Sequence, residues 1–351
     1  MPRKILIMAG GTGGHIFPAL AVAQALEKQG FAIVWLGTKN GMEAKLVPEK
    51  GFEIEYVRFS GVRKSGILKW LALPFALAFA CLQSAKIIFS KRPDVVLGMG
   101  GFASFPGGMT AAMLGKPLVI HEQNAIAGLS NRILSRFATR TLVAFPGALK
   151  KAIHVGNPVR SEIAALPDPA ERFENRQGPL FLLVVGGSRG ARALNDALPK
   201  ALGMMEQKPH VLHQAGVDDL ERVKASYREF GVNADVVPFI SDMEEAYGKA
   251  DLIVCRSGAL TVCEIAAAGL ASVLVPYPHA VDDHQRWNAR YLSESGAAFL
   301  IPQNEFEPSR LAELIESMDR RKLLEMASRA RKLAMTDATE KVAEICMELA
   351  A

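Results

Sequence analysis

Cysteine is scarce in this chain: Cys81, Cys255, Cys263 and Cys346 are the four present in 351 residues. Their spacing forms neither a zinc ligand set nor a disulfide framework, so they read as reduced thiols of a cytoplasmic protein. Long hydrophobic runs are also missing. The longest, Trp70–Leu82 (WLALPFALAFACL), is interrupted by Pro74 and is shorter than the roughly 20 residues a spanning helix needs. No membrane-crossing segment is therefore expected, and no leader either, because the sequence runs straight into a strand-like segment. Nowhere do aromatics interleave with Lys and Arg as on a nucleic-acid surface, so no nucleic acid is expected as a partner. The charge imbalance is small, 41 basic against 36 acidic residues. A net +5 permits an anionic partner without requiring one. No cluster of Asp and His has metal-ligand spacing, so neither a metal nor another cofactor is expected.

What is present is alternation. KILIM, AIVWLG, DVVLGMG, PLVIHE and TLVAF read as buried parallel strands. Helix-length segments such as 18–29 and 74–90 lie between them, which argues for a doubly wound α/β domain. The pattern then restarts. After HVGNPVR and a polar segment, PLFLLVVGGSRGARALNDAL again runs from strand through GGxxG into helix. HVLHQAG, ADVVPFI, DLIVCRSG and ASVLVPYP follow as further strands. At this length two domains are favoured. Two Rossmann-like domains facing a cleft are expected, joined near Gly156–Arg160, with helical residues at 308–351. Ligands of such sheets bind outside the carboxyl ends of the strands.

The first glycine cluster, AGGTGGHIFPAL, invites a phosphate reading. It fails the GxGxxG/A dinucleotide pattern because Ile16 holds the last position, and WLGTKN places no acidic residue for a ribose. GGSRGA lacks the Lys-Ser/Thr of a Walker loop. Tight backbone geometry alone would explain either cluster; two at matching places in two halves suggest more.

CRSGALTVCEIAAAGLASVLVP carries most of the chemistry. Backbone N–H groups at a helix start near Ala259 suit a diphosphate. Glu264, set among apolar residues, either faces solvent or takes a pair of sugar hydroxyls. Gln285 and Asn288, i and i+3 in HQRWNARYL, share a helix face; they are either a surface helix start or neutral contacts to sugar hydroxyls and an acetamido group. His121, Glu122, Gln123 and Asn124 gather at a strand end in VIHEQNAIAG and suggest a site.

AGGTGGH, HEQNAIAG, GNPVR, GGSRGA, FISDM, SGALTVCE and HQRWNA occur in this order. Together they closely resemble the MurG family of bacterial transferases, which move N-acetylglucosamine from UDP-GlcNAc to lipid I. The resemblance runs from about Lys4 to the last helix. It implies the GT-B glycosyltransferase fold: an acceptor domain over 1–159 on which a last helix, about 337–351, packs back, and a UDP-GlcNAc-binding domain over 160–336. It implies that Ile240 contacts uracil through its main chain with Arg160 nearby, and that Glu264 takes the ribose. Ser188 and the helix start Ala259, Leu260 and Thr261 are implied as diphosphate ligands, with Val262 and Cys263 as further substrate-binding positions. Asn124 and Gln285 are implied as GlcNAc contacts. Thr12, Gly13, Gly14 and His15 are placed at the reaction centre and acceptor diphosphate, with His15 as the catalytic base. His284 stands where the family often has a first glutamine.

The implied reaction is a metal-independent, inverting transfer to the C4 hydroxyl of MurNAc, giving lipid II and UDP. Lipid I is undecaprenyl-diphosphate-linked MurNAc-pentapeptide, so the implied place is the cytoplasmic face of the inner membrane. An anionic membrane surface and other cell-wall synthesis proteins are the implied partners. The candidate membrane segment is 58–92, where Arg58, Arg63, Lys64 and Lys69 precede the apolar run and Lys86, Lys91 and Arg92 follow it; an ordinary packing helix is the alternative. A UDP-GlcNAc 2-epimerase-like enzyme and a non-catalytic UDP-sugar-binding protein of cell-wall synthesis are the rival readings.

Overall fold

The computed structural model describes residues 3–59, 67–187 and 190–350, and the backbone alone of residues 67–70. They form two compact units, 1–159 with 335–351, and 160–334.

In unit 1 the order is β1 (Lys4–Met8), α1 (Gly13–Lys28), β2 (Ala32–Gly37), α2 (Glu43–Glu49), β3 (Glu53–Tyr56), α3 (Ile67–Lys91), β4 (Val95–Gly98), α4 (Ser104–Met113), β5 (Leu118–Glu122), α5 (Leu129–Leu134), β6 (Arg140–Val143) and β7 (Ile153–His154). The sheet order is β3-β2-β1-β4-β5-β6-β7, and each pairing is parallel. Ile5, Leu6, Ile7 and Met8 of β1 are all fully buried, alternate residues feeding the two apolar layers on either side of the sheet.

Unit 2 runs α6 (Ser161–Ala164), α7 (Pro169–Glu174), β8 (Phe181–Val185), α8 (Arg192–Met204), β9 (His210–Gln214), α9 (Leu220–Glu229), β10 (Ala234–Val237), α10 (Met243–Lys249), β11 (Leu252–Cys255), α11 (Ala259–Ala268), β12 (Ala271–Leu274), α12 (His284–Ser293), β13 (Ala298–Leu300), α13 (Pro308–Glu316) and α14 (Arg320–Lys332). Its sheet, also parallel, is ordered β10-β9-β8-β11-β12-β13. The final helix, α15 (Ala338–Leu349), returns to unit 1, where Val342, Ala343 and Cys346 join the core beside α1.

Strand order reverses between β1 and β4 in unit 1 and between β8 and β11 in unit 2. Loops diverge at such points and leave a crevice at the strand ends. Both glycine clusters and the start of α11 stand there. The expected α/β architecture is thus present twice. The edge strands β3, β7 and β13 were not anticipated: they are two to four residues long, and β3 and β7 are partly polar. Helix α1 begins at Gly13, ahead of the expected position 18. Nor does Pro74 end α3, which runs unbroken for 25 residues. A proline removes one backbone N–H, but the buried residues Ala80, Ser84, Ile87 and Ile88 hold this helix to its unit. Its stretch Leu71–Lys91 is long and apolar enough to cross a membrane by length and composition, with a mean hydropathy of 1.8. The apolar helix is thus longer than the 13-residue run read from the sequence, and the length argument against a spanning segment does not hold for it.

All four cysteines are free, and burial drives the Cys255 and Cys346 thiols up, Cys346 to about 12. Burial also controls two histidines. His213 on β9 lies 2.9 Å from the Tyr227 hydroxyl and 3.0 Å from Asn195 Oδ1. Asn195 Nδ2 donates to the Ala215 carbonyl and to Asp219, so its oxygen faces the ring. Burial lowers His213 to about 3 and His121 to about 4. The unfolded chain therefore takes up protons below about pH 6.5 that the folded chain refuses until far lower pH, and stability is lost as pH falls through that window. Each histidine is expected to contribute a loss of about 2 kcal/mol by pH 5. Urea unfolding at pH 7 and pH 5 checks this: in His213→Leu the stability is lower throughout, but its pH dependence is shallower. An equally steep acid branch in that variant would contradict it.

Candidate active site

In unit 1 the crevice is lined by the turn between β1 and α1. The Thr12 carbonyl accepts from the amides of His15 (3.1 Å) and Ile16 (3.2 Å). Thr12 occupies the cap position of α1 without a side-chain cap. The N–H groups of Gly13 and Gly14 belong to the first turn and have no acceptor within the helix. The turn is held from below by Glu43, which is 1% exposed. One carboxylate oxygen accepts from Gly11 N at 3.0 Å; the other accepts from Thr38 N at 2.9 Å and Thr38 Oγ1 at 2.8 Å. A Cβ at Gly10 or Gly41 would come within 2.5 or 2.1 Å of that carboxylate, so the glycines there make its room. An acidic residue does follow β2, but it is spent on the protein's own backbone. Glu43 was not foreseen; its signal was a lone acid inside the glycine-bearing turn GTKNGME.

His15 lies at the start of α1 with Nδ1 3.0 Å from Gln123 Oε1. This brings together the first turn of α1 and the end of β5. Of the four polar residues expected to form a site at that strand end, three are buried and bonded to the protein's own groups, although His121 Nδ1 has no hydrogen-bond partner among the described residues. His121 Nε2 donates to the Gly156 carbonyl at 2.8 Å. Glu122 accepts from the amides of Asn124 and Gly128 and from the Asn131 side chain. Gln123 donates to the Met99 carbonyl at 2.8 Å. Asn124 alone is half-exposed, its side-chain amide set by Glu122 at 3.3 Å.

In unit 2 the second glycine turn is closed by Gly190 (φ +72°), where a Cβ would sit 2.0 Å from the Ala215 carbonyl oxygen. Ser188 lies outside the described residues. Gln214, at the end of β9 and buried, donates through Nε2 to the Gly187 carbonyl at 2.8 Å and accepts the Ile240 amide at 3.0 Å. It ties two expected nucleotide-site elements together and was missed in the sequence. With the Ile240 N–H so engaged, its carbonyl is the group left for a main-chain contact to a base.

Glu264 does not face solvent: it is 3% exposed and forked by Arg160, Nε–Oε1 2.8 Å and Nη2–Oε2 3.0 Å. The Tyr247 hydroxyl is 3.4 Å from Oε2. Burial pushes the Glu264 carboxyl up and the guanidinium opposes that push. Burial alone would lower Arg160, but the hydrogen bonds and charge of Glu264 carry it upward. A carboxylate has about four acceptor positions, so a fork leaves room for hydroxyl donors.

Helix α11 starts from Gly258 with no side-chain cap, leaving the N–H groups of Ala259, Leu260 and Thr261 as first-turn donors. The expectation of Val262 as a substrate contact is corrected here. The Val262 amide already donates to the Gly258 carbonyl at 3.0 Å and its side chain is fully buried. Cys263 lies beyond the first turn, where amides are paired within the helix. Gln285 Oε1 accepts the Tyr277 amide at 2.9 Å, leaving its NH₂ as donor. Asn288 is fully buried and donates to the Ser257 carbonyl at 3.2 Å, so it supports the approach to α11. His284 Nδ1 contacts the Val281 carbonyl at 2.7 Å and holds the preceding turn.

Two parallel α/β units, each with free helix-start amides at its switch point, suit a phosphate-bearing ligand, and family and structural matches make the chain a glycosyltransferase of the GT-B class. Models of the glycosyltransferase family 28 N-terminal and C-terminal domains match residues 5–143 and 181–342. The chain belongs to glycosyltransferase family 28. It is 55% identical, over all of both chains, to the UDP-N-acetylglucosamine--N-acetylmuramyl-(pentapeptide) pyrophosphoryl-undecaprenol N-acetylglucosamine transferase of Nitrosospira multiformis. The protein of that name in Ralstonia nicotianae is 54% identical, over 100% of this chain and 97% of its own. The crystal structure of Acinetobacter baumannii MurG superposes with a TM-score of 0.88 at 41% identity, covering 99% of this chain and 100% of that one.

Glu43 makes one consequence measurable. Glu43→Ala removes the charged acceptor of the Gly11 and Thr38 amides and of the Thr38 hydroxyl, at a cost of about 1.5–3 kcal/mol, the range for hydrogen bonds to a charged group. Urea unfolding is expected to show that loss; a variant as stable as the parent would mean that the turn does not depend on the carboxylate.

Proposed function

We propose that the chain transfers N-acetylglucosamine from UDP-GlcNAc to the C4 hydroxyl of MurNAc in lipid I, giving lipid II and UDP with inversion at the anomeric carbon. The observation that carries this is the 55% identity along the whole of both chains with a transferase named for that donor sugar and acceptor. Unit 2 takes the donor. Ile240 meets uracil through its carbonyl, Glu264 receives ribose hydroxyls beside Arg160, and the first-turn amides of α11 meet the diphosphate. Ser188 contributes to the same diphosphate site, while Gln285 and Asn124 serve the GlcNAc hydroxyls. Thr12, Gly13, Gly14 and His15 serve the acceptor.

In the reaction the C4 oxygen bonds to C1 as the bond from C1 to the diphosphate oxygen breaks, and UDP leaves with the electron pair. His15 takes the hydroxyl proton. Backbone N–H groups at a helix start meet the charge that develops on the leaving diphosphate without reorganising. Incubation with labelled UDP-GlcNAc and a lipid I analogue tests the reading: disaccharide and UDP are expected, whereas epimerised sugar or no product overturns it. His15→Ala is expected to lower kcat by about 10²–10⁴-fold, the usual contribution of a positioned base, with UDP binding nearly unchanged.

The acceptor is anchored by a polyprenyl chain, so we place unit 1 at an anionic membrane surface on the cytoplasmic side. Helix α3 supports this. Leu71, Phe75, Phe79, Leu82 and Phe89 form an exposed row, Phe75 being 78% accessible. This is not the face of an ordinary packing helix. Arg58, Lys86 and Arg92 stand exposed nearby in sequence. Lys91 does not join them: Glu53 at 2.6 Å and Glu55 at 2.8 Å engage it and hold it well above its ordinary range. Arg63 and Lys64, and the side chains of Ile67, Leu68, Lys69 and Trp70, lie outside the described residues. Vesicles of anionic phospholipid are expected to bind the protein at low salt and release it as salt screens the charges. Phe75→Ser with Phe79→Ser is expected to weaken that binding and spare UDP binding. Vesicle binding untouched by the double change would exclude this face.

A further inference from the structure

Gln123 is 1% exposed and uses both ends of its amide. Its Nε2 donates to the Met99 carbonyl at 2.8 Å. A carbonyl oxygen accepts only, so the amide nitrogen must face Met99 and Oε1 must face His15. That oxygen also accepts only, and it lies 3.0 Å from His15 Nδ1. The hydrogen between them therefore belongs to Nδ1, and in the neutral ring Nε2 is left bare.

The frame around this contact is rigid. Met99 N donates to Met8 O at 2.7 Å. The Gly100 carbonyl accepts from Gly10 N at 3.2 Å and Ser104 Oγ at 2.7 Å. Gly100 has φ +96°, and a Cβ there would come within 2.6 Å of His15 Nδ1. The ring thus has a slot with one polar wall, and that wall is an acceptor. His121 is buried and turned to Gly156, while Glu43 is turned to Gly11 and Thr38.

We infer that Gln123 is a positioning residue for the transfer: it holds His15 as the Nδ1–H tautomer, so that Nε2 is the atom that receives the acceptor hydroxyl's proton. The inference rests on the reading of His15 as base. The proton leaves the C4 hydroxyl for Nε2 as the C4 oxygen bonds to C1, UDP departs with its electron pair, and the imidazolium returns the proton to water. A neutral amide orients the ring without adding charge, unlike the carboxylate of a Ser-His-Asp triad.

The test is nitrogen NMR of the full chain labelled in its histidine rings, at a pH where His15 is neutral, with its signals assigned by their loss in His15→Ala. A protonated Nδ1 and a bare Nε2 are expected. Gln123→Met removes the acceptor; it is expected to mix the tautomers and lower kcat by roughly 10²-fold, the lower end of a positioned base's contribution, with the KM for UDP-GlcNAc within about twofold. Gln123→Glu keeps an acceptor opposite Nδ1 and is expected to restore the tautomer. A ring protonated on Nε2 in the unaltered protein overturns the inference whatever the kinetics, and so does an unchanged tautomer in Gln123→Met. Near-normal turnover in His15→Ala overturns the base reading instead, with the tautomer still decided by the spectrum.

Discussion

Three buried side-chain amides, those of Gln123, Gln214 and Asn195, have both ends engaged and organise much of this protein's site, whereas buried Asn157 has neither end paired among the described residues. Beyond the carboxyl end of a strand the chain has no ladder to hold it, yet ligands bind there in a parallel sheet. Gln123 fastens His15 to the loop after β4. Gln214 fastens the second glycine turn to Ile240. Asn195 does the same beneath the loop after β9. Each orphaned buried group costs about 1–3 kcal/mol, more than most surface ion pairs contribute. The loops are therefore held in one arrangement by contacts that fail together if either partner moves.

Glu43 and Glu264 extend the device to charge. Both are nearly inaccessible, and both are surrounded by donors. The difference lies in the donors. Glu43 is met by backbone amides and a hydroxyl of its own unit, which closes it to a ligand. Glu264 is met from one side by a guanidinium that is itself partly exposed, so hydroxyls can join the pair without first stripping a carboxylate of every partner. The same residue type, at the start of α2 in one unit and within α11 in the other, serves as scaffold in the first and as candidate ligand in the second, according to what surrounds it.

The sheets were legible because burial on both faces writes itself as unbroken apolar runs, and the glycine turns because only glycine tolerates the backbone they need. β3, β7 and β13 left no such trace, being short edges. The bonds that build the site were not legible. Gln123 and His15 are 108 residues apart, and Glu43 and Gly11 are 32 apart; no local pattern records which distant atom a polar side chain will meet. Val262 shows the opposite error. A motif names a helix start as a whole, but only its first-turn amides are free, and a position one turn in is already paired. Helix α3 was truncated on paper at a proline that the folded unit absorbs.

The helix starts show what the architecture costs and gains. Helices α7, α10 and α14 are closed by Asp168, Asp242 and Asp319, whose carboxylates accept first-turn amides. At α1 and α11, as at most of the other described helices, the cap residue supplies no side-chain acceptor. A cap contributes roughly 1 kcal/mol, so an open start is less stable in the free protein than a capped one. The same donors, together with the partial positive charge of the helix end, are what an anion needs. An aspartate at position 258 would steady α11 but place a carboxylate where the proposed diphosphate would approach. Leaving that start to backbone alone keeps its first-turn donors free for an anion.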